Sequence, residues 1–150
     1  MNLKYLLAET VDIELLFELN KSLIDQYEDP SLIDLDKVLP WVRRKLTNKL
    51  PEYRSVFLND QKVGYFRLYE ADDDSLELDD LYILVPYQGR GIGSAVIRHC
   101  IAESERLGKP ITLYVFSRNT DAVRLYEKMG FVHKETVSPT RSILIRPLNT

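Results

Sequence analysis

The stretch Val85–Ser94, which reads VPYQGRGIGS, lies between a predicted strand and a predicted helix. Its glycines, Gly89, Gly91 and Gly93, let the backbone come close to a ligand and direct several N–H groups into one concave loop. The N-terminus of the following helix adds unpaired N–H donors and a partial positive charge. The alternative is a strand-to-helix turn, but three alternating glycines exceed what one turn needs. The stretch therefore predicts an anion-binding loop, and pyrophosphate is a suitable anion.

Two nucleotide-binding motifs with similar glycine loops do not fit this chain. A P-loop needs the tripeptide Gly-Lys-Ser/Thr, which is absent from the sequence. A dinucleotide fingerprint needs a third glycine where Ser94 stands and an acidic residue about twenty positions later, where Pro110 and Ile111 stand. The loop also comes after a predicted hairpin instead of in an opening βαβ unit, so both motifs are disfavoured.

Hydrophobic periodicity predicts the elements on either side of the loop. The predicted strands are Lys4–Ala8, Tyr53–Leu58, Val63–Tyr69, Leu76–Val85, Ile111–Phe116, Phe131–Thr136 and Ser142–Arg146. The predicted helices are Ile13–Tyr27, Leu35–Thr47, Ser94–Leu107 and Asp121–Met129, and Asn59–Lys62 is a polar hairpin turn. The order β-α-α-β-β-β-α-β-α-β-β predicts one α/β domain over residues 1–150, built on a sheet of mixed direction.

Composition narrows the classes of function. A net charge of -3 and a pI near 5.4 argue against a nucleic-acid partner, because such binding depends on neutralising phosphates. No apolar run is long enough to span a membrane, and the N-terminus lacks the apolar segment of a signal peptide. The sequence therefore predicts a soluble, cytoplasmic protein.

Cysteine and carboxylate patterns predict no metal site. Cys100, the one cysteine, permits no internal disulfide and no cysteine-based zinc site, and its apolar neighbours predict a small buried side chain. The run Asp72-Asp73-Asp74 lacks the alternating ligands, central glycine and distal glutamate of an EF-hand loop. We therefore expect this run to be a solvated turn, and His99 and His133 to be structural or solvent-facing.

Two motifs resemble those of the GNAT-type N-acetyltransferase superfamily. The pattern Gln88-x-x-Gly91-x-Gly93, which follows Leu81-Tyr82-Ile83, resembles motif A. The segment Asn119–Phe131, NTDAVRLYEKMGF, resembles motif B and comes one helix and one strand later. In one departure, the proline stands at Pro86, one position later than is usual in the family. The resemblance covers the whole chain in element order and Leu76–Phe131 in residue detail.

The resemblance implies a GNAT-like fold, with a central mixed, mostly antiparallel, twisted sheet that is flanked by helices. The strand matching Leu76–Val85 carries a bulge and splays away from the strand matching Ile111–Phe116, and the pantetheine arm of acetyl-CoA enters the gap. Backbone groups near Ile83 and Val85 would pair with that arm as an added strand does. The residues to which the resemblance assigns acetyl-CoA binding are Ile83, Leu84, Val85, Gln88, Gly89, Arg90, Gly91, Ile92, Gly93, Ser94, Asn119 and Tyr126.

Tyr126 matches the family position of a general acid. Acyl transfer from a thioester expels a thiolate, which a nearby phenol can protonate. The structural alternative is a core tyrosine, because Tyr126 shares a helical face with Leu125 and Met129. Asn119 is a favoured helix N-cap, a role that is compatible with a side-chain contact to coenzyme A.

An amine acceptor requires a base, because amines with a pKa near 10 are mostly protonated at neutral pH. The candidates Glu77, Asp79 and Asp80 lie on the strand before the loop. Alternation along a strand places Glu77 and Asp79 on one face, and Asp80 on the other unless a bulge intervenes. Glu77 matches a catalytic glutamate of some superfamily members, and an ordinary polar strand residue is the alternative.

The resemblance implies an acetyl-CoA-dependent N-acetyltransferase that acts on a primary amine of a small molecule or peptide by direct transfer in a ternary complex. The alternative is a non-catalytic acyl-CoA-binding or sensing module, which would need neither Tyr126 nor the strand carboxylates. Acidic residues such as Glu28, Asp29 and Asp34 hint at a cationic acceptor, but charge runs usually mark a wet surface. A homodimer is compatible with the family.

Overall fold

The computed structural model describes residues 1–148. Its strands are β1 (Leu3–Leu7), β2 (Tyr53–Leu58), β3 (Gln61–Glu70), β4 (Leu76–Ile83), β5 (Ile111–Phe116), β6 (Val132–Ser138) and β7 (Arg141–Arg146). Its α-helices are α1 (Ile13–Tyr27), α2 (Leu35–Lys49), α3 (Ile92–Leu107) and α4 (Thr120–Lys128). The predicted order of elements and the mixed α/β fold are confirmed. No helix in this range combines the length and the apolar character that a membrane span needs.

Several element boundaries differ from the sequence prediction. β4 ends at Ile83, not Val85, because a 3-10 turn over Val85–Tyr87 begins there. α3 begins at Ile92, two residues before the predicted start, because Gly91 adopts a left-handed conformation with φ of 80° and caps the helix. α2 begins where predicted, because the Asp34 side chain accepts a hydrogen bond from the Asp36 N–H at 3.1 Å.

The predicted polar turn between β2 and β3 is shorter than expected. Gln61 and Lys62 already pair with Leu58 and Phe57, so they belong to β3 and the turn consists of Asn59 and Asp60. Asn59 has a φ of 55°. Asparagine tolerates this left-handed region better than most residues, which suits it to a two-residue hairpin turn.

The seven strands form one sheet in the order β1-β2-β3-β4-β5-β7-β6. Neighbouring strands are antiparallel except for β4 and β5, which are parallel. These two pair only through Leu76 with Ile111 and Glu77 with Thr112, at the start of both strands. Beyond these pairs the strands splay apart, and a gap opens between them toward Ile83 and Phe116. The splayed pair is therefore confirmed.

Two hydrophobic clusters pack on opposite faces of the sheet. On one face, α3 contributes Val96 and Ile97 to a cluster with Leu78, Leu113 and other strand residues from both sides of the gap. On the other face, α1 and α2 cover β1–β4, and Leu16 and Leu46 pack against the rings of Tyr53, Tyr65 and Tyr82. The first cluster joins the two halves of the sheet where the strand hydrogen bonds end.

A bulge in β4 sets the direction of its acidic side chains. Tyr65 of β3 pairs with Tyr82, but Arg67 pairs with Asp79, so β4 carries one extra residue between the two pairs. Asp80 lies in that interval with a φ of 51°. Because the extra residue breaks the alternation, Asp79 and Asp80 both point toward α2, where both bond Lys45. Simple alternation, which places Asp80 on the opposite face, does not hold here.

Candidate active site

The glycine loop presents backbone donors to open space. Gly89 and Gly91 have φ values of 75° and 80°, a region that favours glycine. A Cβ atom at Gly89 would meet nothing within 4 Å, and one at Gly91 would meet only the end of the Met1 side chain at 3.9 Å. The first helical hydrogen bond of α3 runs from the Ala95 N–H to the Gly91 carbonyl at 3.1 Å, so the three preceding amides, those of residues 92–94, have no partner within the helix. This geometry fits a pyrophosphate.

Gln88 stabilises the loop through two hydrogen bonds. Its side-chain Nε2 donates to the Ile83 carbonyl at 2.9 Å, and its backbone N–H donates to the Val85 carbonyl at 3.2 Å. Both bonds fold the loop back onto the end of β4. The Arg90 side chain is exposed, and its guanidinium lies 5.6 Å from the centre of the Tyr87 ring. Because the Gln88 amide is used within the loop, Arg90 is the better candidate of the two for contact with an anion.

Backbone groups at the end of β4 face the gap. The Leu84 N–H donates to the Val63 carbonyl at 2.8 Å, and its carbonyl accepts from the Tyr87 N–H at 2.8 Å, so both Leu84 groups are used within the fold. Because N–H groups alternate in direction along an extended chain, those of Ile83 and Val85 point away from β3 and into the gap. Ile83 and Val85, not Leu84, therefore offer donors to a ligand there.

Gly93 lies between Ile83 of β4 and Leu125 of α4, and the space that its missing side chain leaves there is called the passage between β4 and α4. A Cβ atom at this position would lie 3.7 Å from Ile83 Cγ1 and 3.7 Å from Leu125 Cδ2. These are ordinary contact distances, and Gly93 has helical geometry without backbone strain. A larger side chain would therefore fill the passage without distorting the loop.

α4 places Asn119 and Tyr126 on the β5 side of the gap. The Asn119 side chain caps the helix by accepting from the Ala122 N–H at 3.3 Å, and its amide nitrogen is not used in that bond. Tyr126 is half-buried, and its ring packs edge-on against Phe131 with centroids 5.5 Å apart. Burial, and to a lesser extent Cys100 and the charge of Asp79, raises the pKa of Tyr126. The phenol is therefore protonated at neutral pH, as a general acid must be, but the raised pKa makes it a weaker proton donor than an ordinary tyrosine.

Glu77 lies on the α1/α2 side of the sheet, in the last residue pair before the gap. The Tyr69 hydroxyl donates a hydrogen bond to its carboxylate. Burial raises the pKa of Glu77 above that of an ordinary glutamate, and this hydrogen bond only partly offsets the shift. A half-buried carboxylate with a raised pKa is well suited to accept a proton.

Asp79 and Asp80 belong to a buried ionic network. Asp79 accepts from Lys45 at 3.1 Å and from Arg67 at 3.0 Å, and Asp80 accepts from Lys45 at 3.1 Å and from the Tyr53 hydroxyl at 2.5 Å. Burial opposes ionisation of Asp79, but its two cations outweigh burial and lower its pKa. Burial and the charge of Asp79 raise the pKa of Asp80. The network therefore holds Asp79 ionised and makes it a weak proton acceptor.

Sequence reasoning missed the cations of this network. Lys45 comes from α2 and Arg67 from β3, and only the tertiary fold brings them to the bulge. One signal was available: Arg67 interrupts the apolar run VGYFRLY of a predicted strand. A charged residue in such a run is expected to have a buried partner.

The cysteine and the two histidines make packing or hydrogen-bond contacts within the fold. Cys100 is fully buried, and burial raises its pKa to about 12, so its thiol is inert at neutral pH. His99 packs against Tyr5, with ring centroids 4.4 Å apart, and His133 hydrogen-bonds Thr136 at 2.9 Å. In the described part of the chain, no group of three or more metal-ligating side chains is close enough to hold a metal ion.

Sequence comparisons give one family and several partial relatives. The family described as "Acetyltransferase (GNAT) family" matches residues 15–131. An uncharacterized N-acetyltransferase of Mycobacterium tuberculosis (strain ATCC 25618 / H37Rv) is 37% identical over 70 residues, which are 46% of this chain and 45% of that protein. The spermine/spermidine N(1)-acetyltransferase of Bacillus subtilis (strain 168) is 33% identical over 72 residues, 45% of this chain and 47% of that protein. The chain thus spans less than half the length of these relatives.

Solved structures resemble the chain over nearly its full length. The PaiA N-acetyltransferase of Thermoplasma acidophilum, solved in complex with coenzyme A, has a TM-score of 0.73 and 19% identity, covering 99% of this chain and 100% of that one. A GNAT-family acetyltransferase of Staphylococcus aureus Mu50 has a TM-score of 0.75 and 17% identity, with coverage of 99% and 100%. At sequence identities of 19% and 17%, this structural similarity establishes the fold.

Proposed function

Because this chain belongs to the GNAT acetyltransferase family, we propose that it transfers an acetyl group from acetyl-CoA directly to a primary amine while both substrates are bound. The observation that carries the proposal is the gap between β4 and β5. A loop of free amides lies at one end, Tyr126 lies on the α4 side, and Glu77 and Asp79 lie on the α1/α2 side. Binding alone would not require groups that accept and donate protons on both sides of a cleft.

Acetyl-CoA would contribute a thioester carbonyl that an amine can attack. The amides of Ile92, Gly93 and Ser94, with Gly89 and Gly91 giving backbone access, would hold the pyrophosphate at the N-terminus of α3. Arg90 would add a positive charge, and Asn119 would contact the cofactor through its free amide nitrogen. Val85 would donate its N–H group to the pantetheine arm in the gap, and Ile83 would donate its N–H group to the thioester carbonyl.

One side of the gap would accept a proton from the amine, and the other side would donate a proton to the departing sulfur. The ammonium group of the acceptor first gives up one proton to Glu77, directly or through water, and the lone pair that this frees bonds to the carbonyl carbon. The nitrogen loses a second proton to solvent as the amide forms. The Ile83 N–H stabilises the negative charge that develops on the carbonyl oxygen. The C–S bond then breaks with its electron pair on sulfur, which takes the proton of the Tyr126 hydroxyl. The products are an amide and free coenzyme A, and solvent restores both side chains.

Glu77 is a stronger candidate for the base than Asp79. Two cations stabilise the carboxylate of Asp79 and lower its pKa, whereas Glu77 has one neutral hydrogen-bond donor and a raised pKa. Proton transfer is favoured when the pKa of the base approaches the working pH. We assign Asp79 instead to the network that fixes the bulge of β4.

Two measurements on the same protein test the proposal. Calorimetry with coenzyme A measures binding, and free-thiol release from acetyl-CoA in the presence of mixed amines measures transfer. We expect saturable binding and thiol release that depends on an amine. Binding without amine-dependent release would support an acyl-CoA-binding module instead, and absence of binding would contradict the cleft assignment itself.

A further inference from the structure

The α1/α2 side of the sheet is left partly uncovered beyond the gap. Leu113 and Val115 of β5 join the core cluster under α3, so the alternating residues Tyr114 and Phe116 face the opposite side. Tyr114 is 47% exposed there. This surface adjoins Glu77 through the pair of Glu77 with Thr112, so it borders the proposed base.

The connection between α1 and α2 forms one wall of this surface. Tyr27, at the end of α1, stacks on Phe116 with ring centroids 6.4 Å apart and an interplanar angle of 28°. The next residue, Glu28, accepts hydrogen bonds from the Thr140 hydroxyl and from the Asp29 N–H. The end of β5 thus lies between this wall and the turn that leads into β7.

Arg141, the first residue of β7, is a half-buried cation without an acidic partner on this surface. It pairs with Phe116 in the sheet, and its guanidinium lies 4.9 Å from the centre of the Tyr114 ring and 5.6 Å from that of Phe116. Within residues 1–148 no carboxylate lies within ion-pairing distance of it. The guanidinium thus lies near two aromatic rings, and within residues 1–148 its N–H groups are not used in a side-chain hydrogen bond.

We infer that Arg141 binds a carboxylate of the acceptor, which is then a small amine that also carries a carboxylate, such as an amino acid or a short peptide. The inference rests on the proposed acetyl transfer. A guanidinium edge matches a carboxylate with two parallel hydrogen bonds. Glu77 and Arg141 flank positions four residues apart on β5, about 13 Å along the strand. That spacing leaves room for a small molecule whose amine lies between them.

The carboxylates around this surface already have hydrogen-bond or ion-pair partners. Asp29 accepts hydrogen bonds from the N–H and hydroxyl of Ser31 at 2.9 and 2.7 Å, and Asp34 caps α2. Near the gap, Asp79 and Asp80 are paired with Lys45. Of these carboxylates, Asp79 and Asp80 are neutralised by a cation, and a polyamine at this surface would also meet the positive charge of Arg141.

Matched acceptors test this inference in the intact protein. Free-thiol release is measured with amino acids, with ω-amino acids and with the carboxamide of each, for wild type, Arg141→Gln and Arg141→Lys. The control variant is Arg44→Gln, an exposed arginine of α2. For wild type we expect acids to be preferred over their amides. Arg141→Gln should raise the KM for the acids about 10- to 100-fold, the usual weight of charge-assisted hydrogen bonds, and abolish the preference.

Arg141→Lys keeps the charge but loses the planar fork, so its KM should fall between those of wild type and Arg141→Gln. Calorimetry with coenzyme A should give wild-type affinity for all variants, which also shows that they are folded. The inference would be overturned if wild type used acids and amides equally or used amides alone. It would also be overturned if wild type bound acetyl-CoA but acetylated no acceptor in the panel. A loss of coenzyme A affinity in Arg141→Gln would assign Arg141 to the cofactor instead. Failure of wild type to bind acetyl-CoA would overturn the proposed function, and with it this inference.

Discussion

Tyr126 and Glu77 lie on opposite faces of the sheet, on either side of the gap between β4 and β5. Tyr126 packs with the cluster under α3, whereas Glu77 faces the side covered by α1 and α2. Thiolate protonation and amine deprotonation are therefore assigned to groups that do not compete for one proton. Burial raises the pKa of both groups, which makes the carboxylate of Glu77 more basic and leaves the phenol of Tyr126 protonated at neutral pH but less acidic.

The first prediction concerns Tyr126→Phe, which removes only the hydroxyl and leaves the ring packed against Phe131. If Tyr126 protonates the departing thiolate, kcat should fall by about 10²–10⁴, the usual contribution of a positioned general acid. Affinity for acetyl-CoA, measured by calorimetry, should change little, because the bond matters mainly in the transition state. A Phe variant with near-wild-type turnover, where chemistry limits the rate, would leave Tyr126 as a core residue.

The second prediction concerns Glu77→Gln. We expect the rate to fall by about 10²–10⁴ at neutral pH and to recover near pH 10, where the amine is already deprotonated. In wild type the acid limb of the pH–rate profile should lie above the ordinary glutamate pKa, because the raised pKa of Glu77 leaves it protonated at higher pH. Since burial disfavours its charged form in the fold, the amide should not be destabilised at pH values above that pKa.

The matched variant for Glu77→Gln is Asp79→Asn. It leaves Lys45 and Arg67 without their shared carboxylate, which is only 26% exposed. We expect it to lower the free energy of unfolding by about 1.5–3 kcal/mol, the usual weight of hydrogen bonds to a charged group, while the shape of the pH–rate profile is retained. If Asp79→Asn and not Glu77→Gln changes that shape, the two assignments must be exchanged.

The sequence predicts the positions of some residues of the site but not of others. Gly89 and Gly91 could be predicted, because a left-handed backbone restricts the choice of residue and so leaves a trace in the sequence. The direction of Asp80 could not, because it depends on the register between β3 and β4, which no local pattern records. Lys45 and Arg67 reach the site from α2 and β3 by tertiary packing alone.

At the scale of elements, strands and helices were predicted more reliably than their ends. The alternation of leucines with Glu77 and Asp79 in β4 and the apolar run of β5 both favour strands. The end of β4 at Ile83 depends on a 3-10 turn that is stabilised by the bond from Gln88 to the Ile83 carbonyl. That bond joins residues on either side of the turn, so periodicity within the strand does not predict it.

The third prediction concerns the passage between β4 and α4. Gly93→Leu should fill it, because the side chain would begin 3.7 Å from Ile83 and 3.7 Å from Leu125. Coenzyme A binding should weaken at least 100-fold by calorimetry, a loss of about 2.7 kcal/mol, while the circular dichroism spectrum is retained. The control is Gly93→Ala, whose methyl makes ordinary contacts and which should be slightly more stable, because alanine favours a helix. Equal affinity of Gly93→Leu and wild type would exclude a ligand from this passage.

At the scale of the whole molecule, the two halves of the sheet share few hydrogen bonds and one core. Strands β1–β4 meet β5–β7 only through Leu76 with Ile111 and Glu77 with Thr112. Yet one cluster under α3 contains Leu78 from the first half and Leu113 and Leu144 from the second. Apolar packing therefore joins the two halves of the sheet where the splayed strands share no hydrogen bonds. This arrangement favours a single cooperative domain.

The last prediction follows from this arrangement. Chemical and thermal unfolding should each show one transition, with fluorescence and circular dichroism coinciding, because neither half can keep its share of the core without the other. Acetyl-CoA at 100 times its dissociation constant should add about 2.7 kcal/mol of stability. For a domain of this size, that addition raises the Tm by about 5–10 °C. Since the ligand would contact β4 on one side of the gap and α4 on the other, hydrogen exchange should slow in both halves together. Two separate transitions, or protection confined to β1–β4, would show that the halves are independent units and that the gap is not bridged by the ligand.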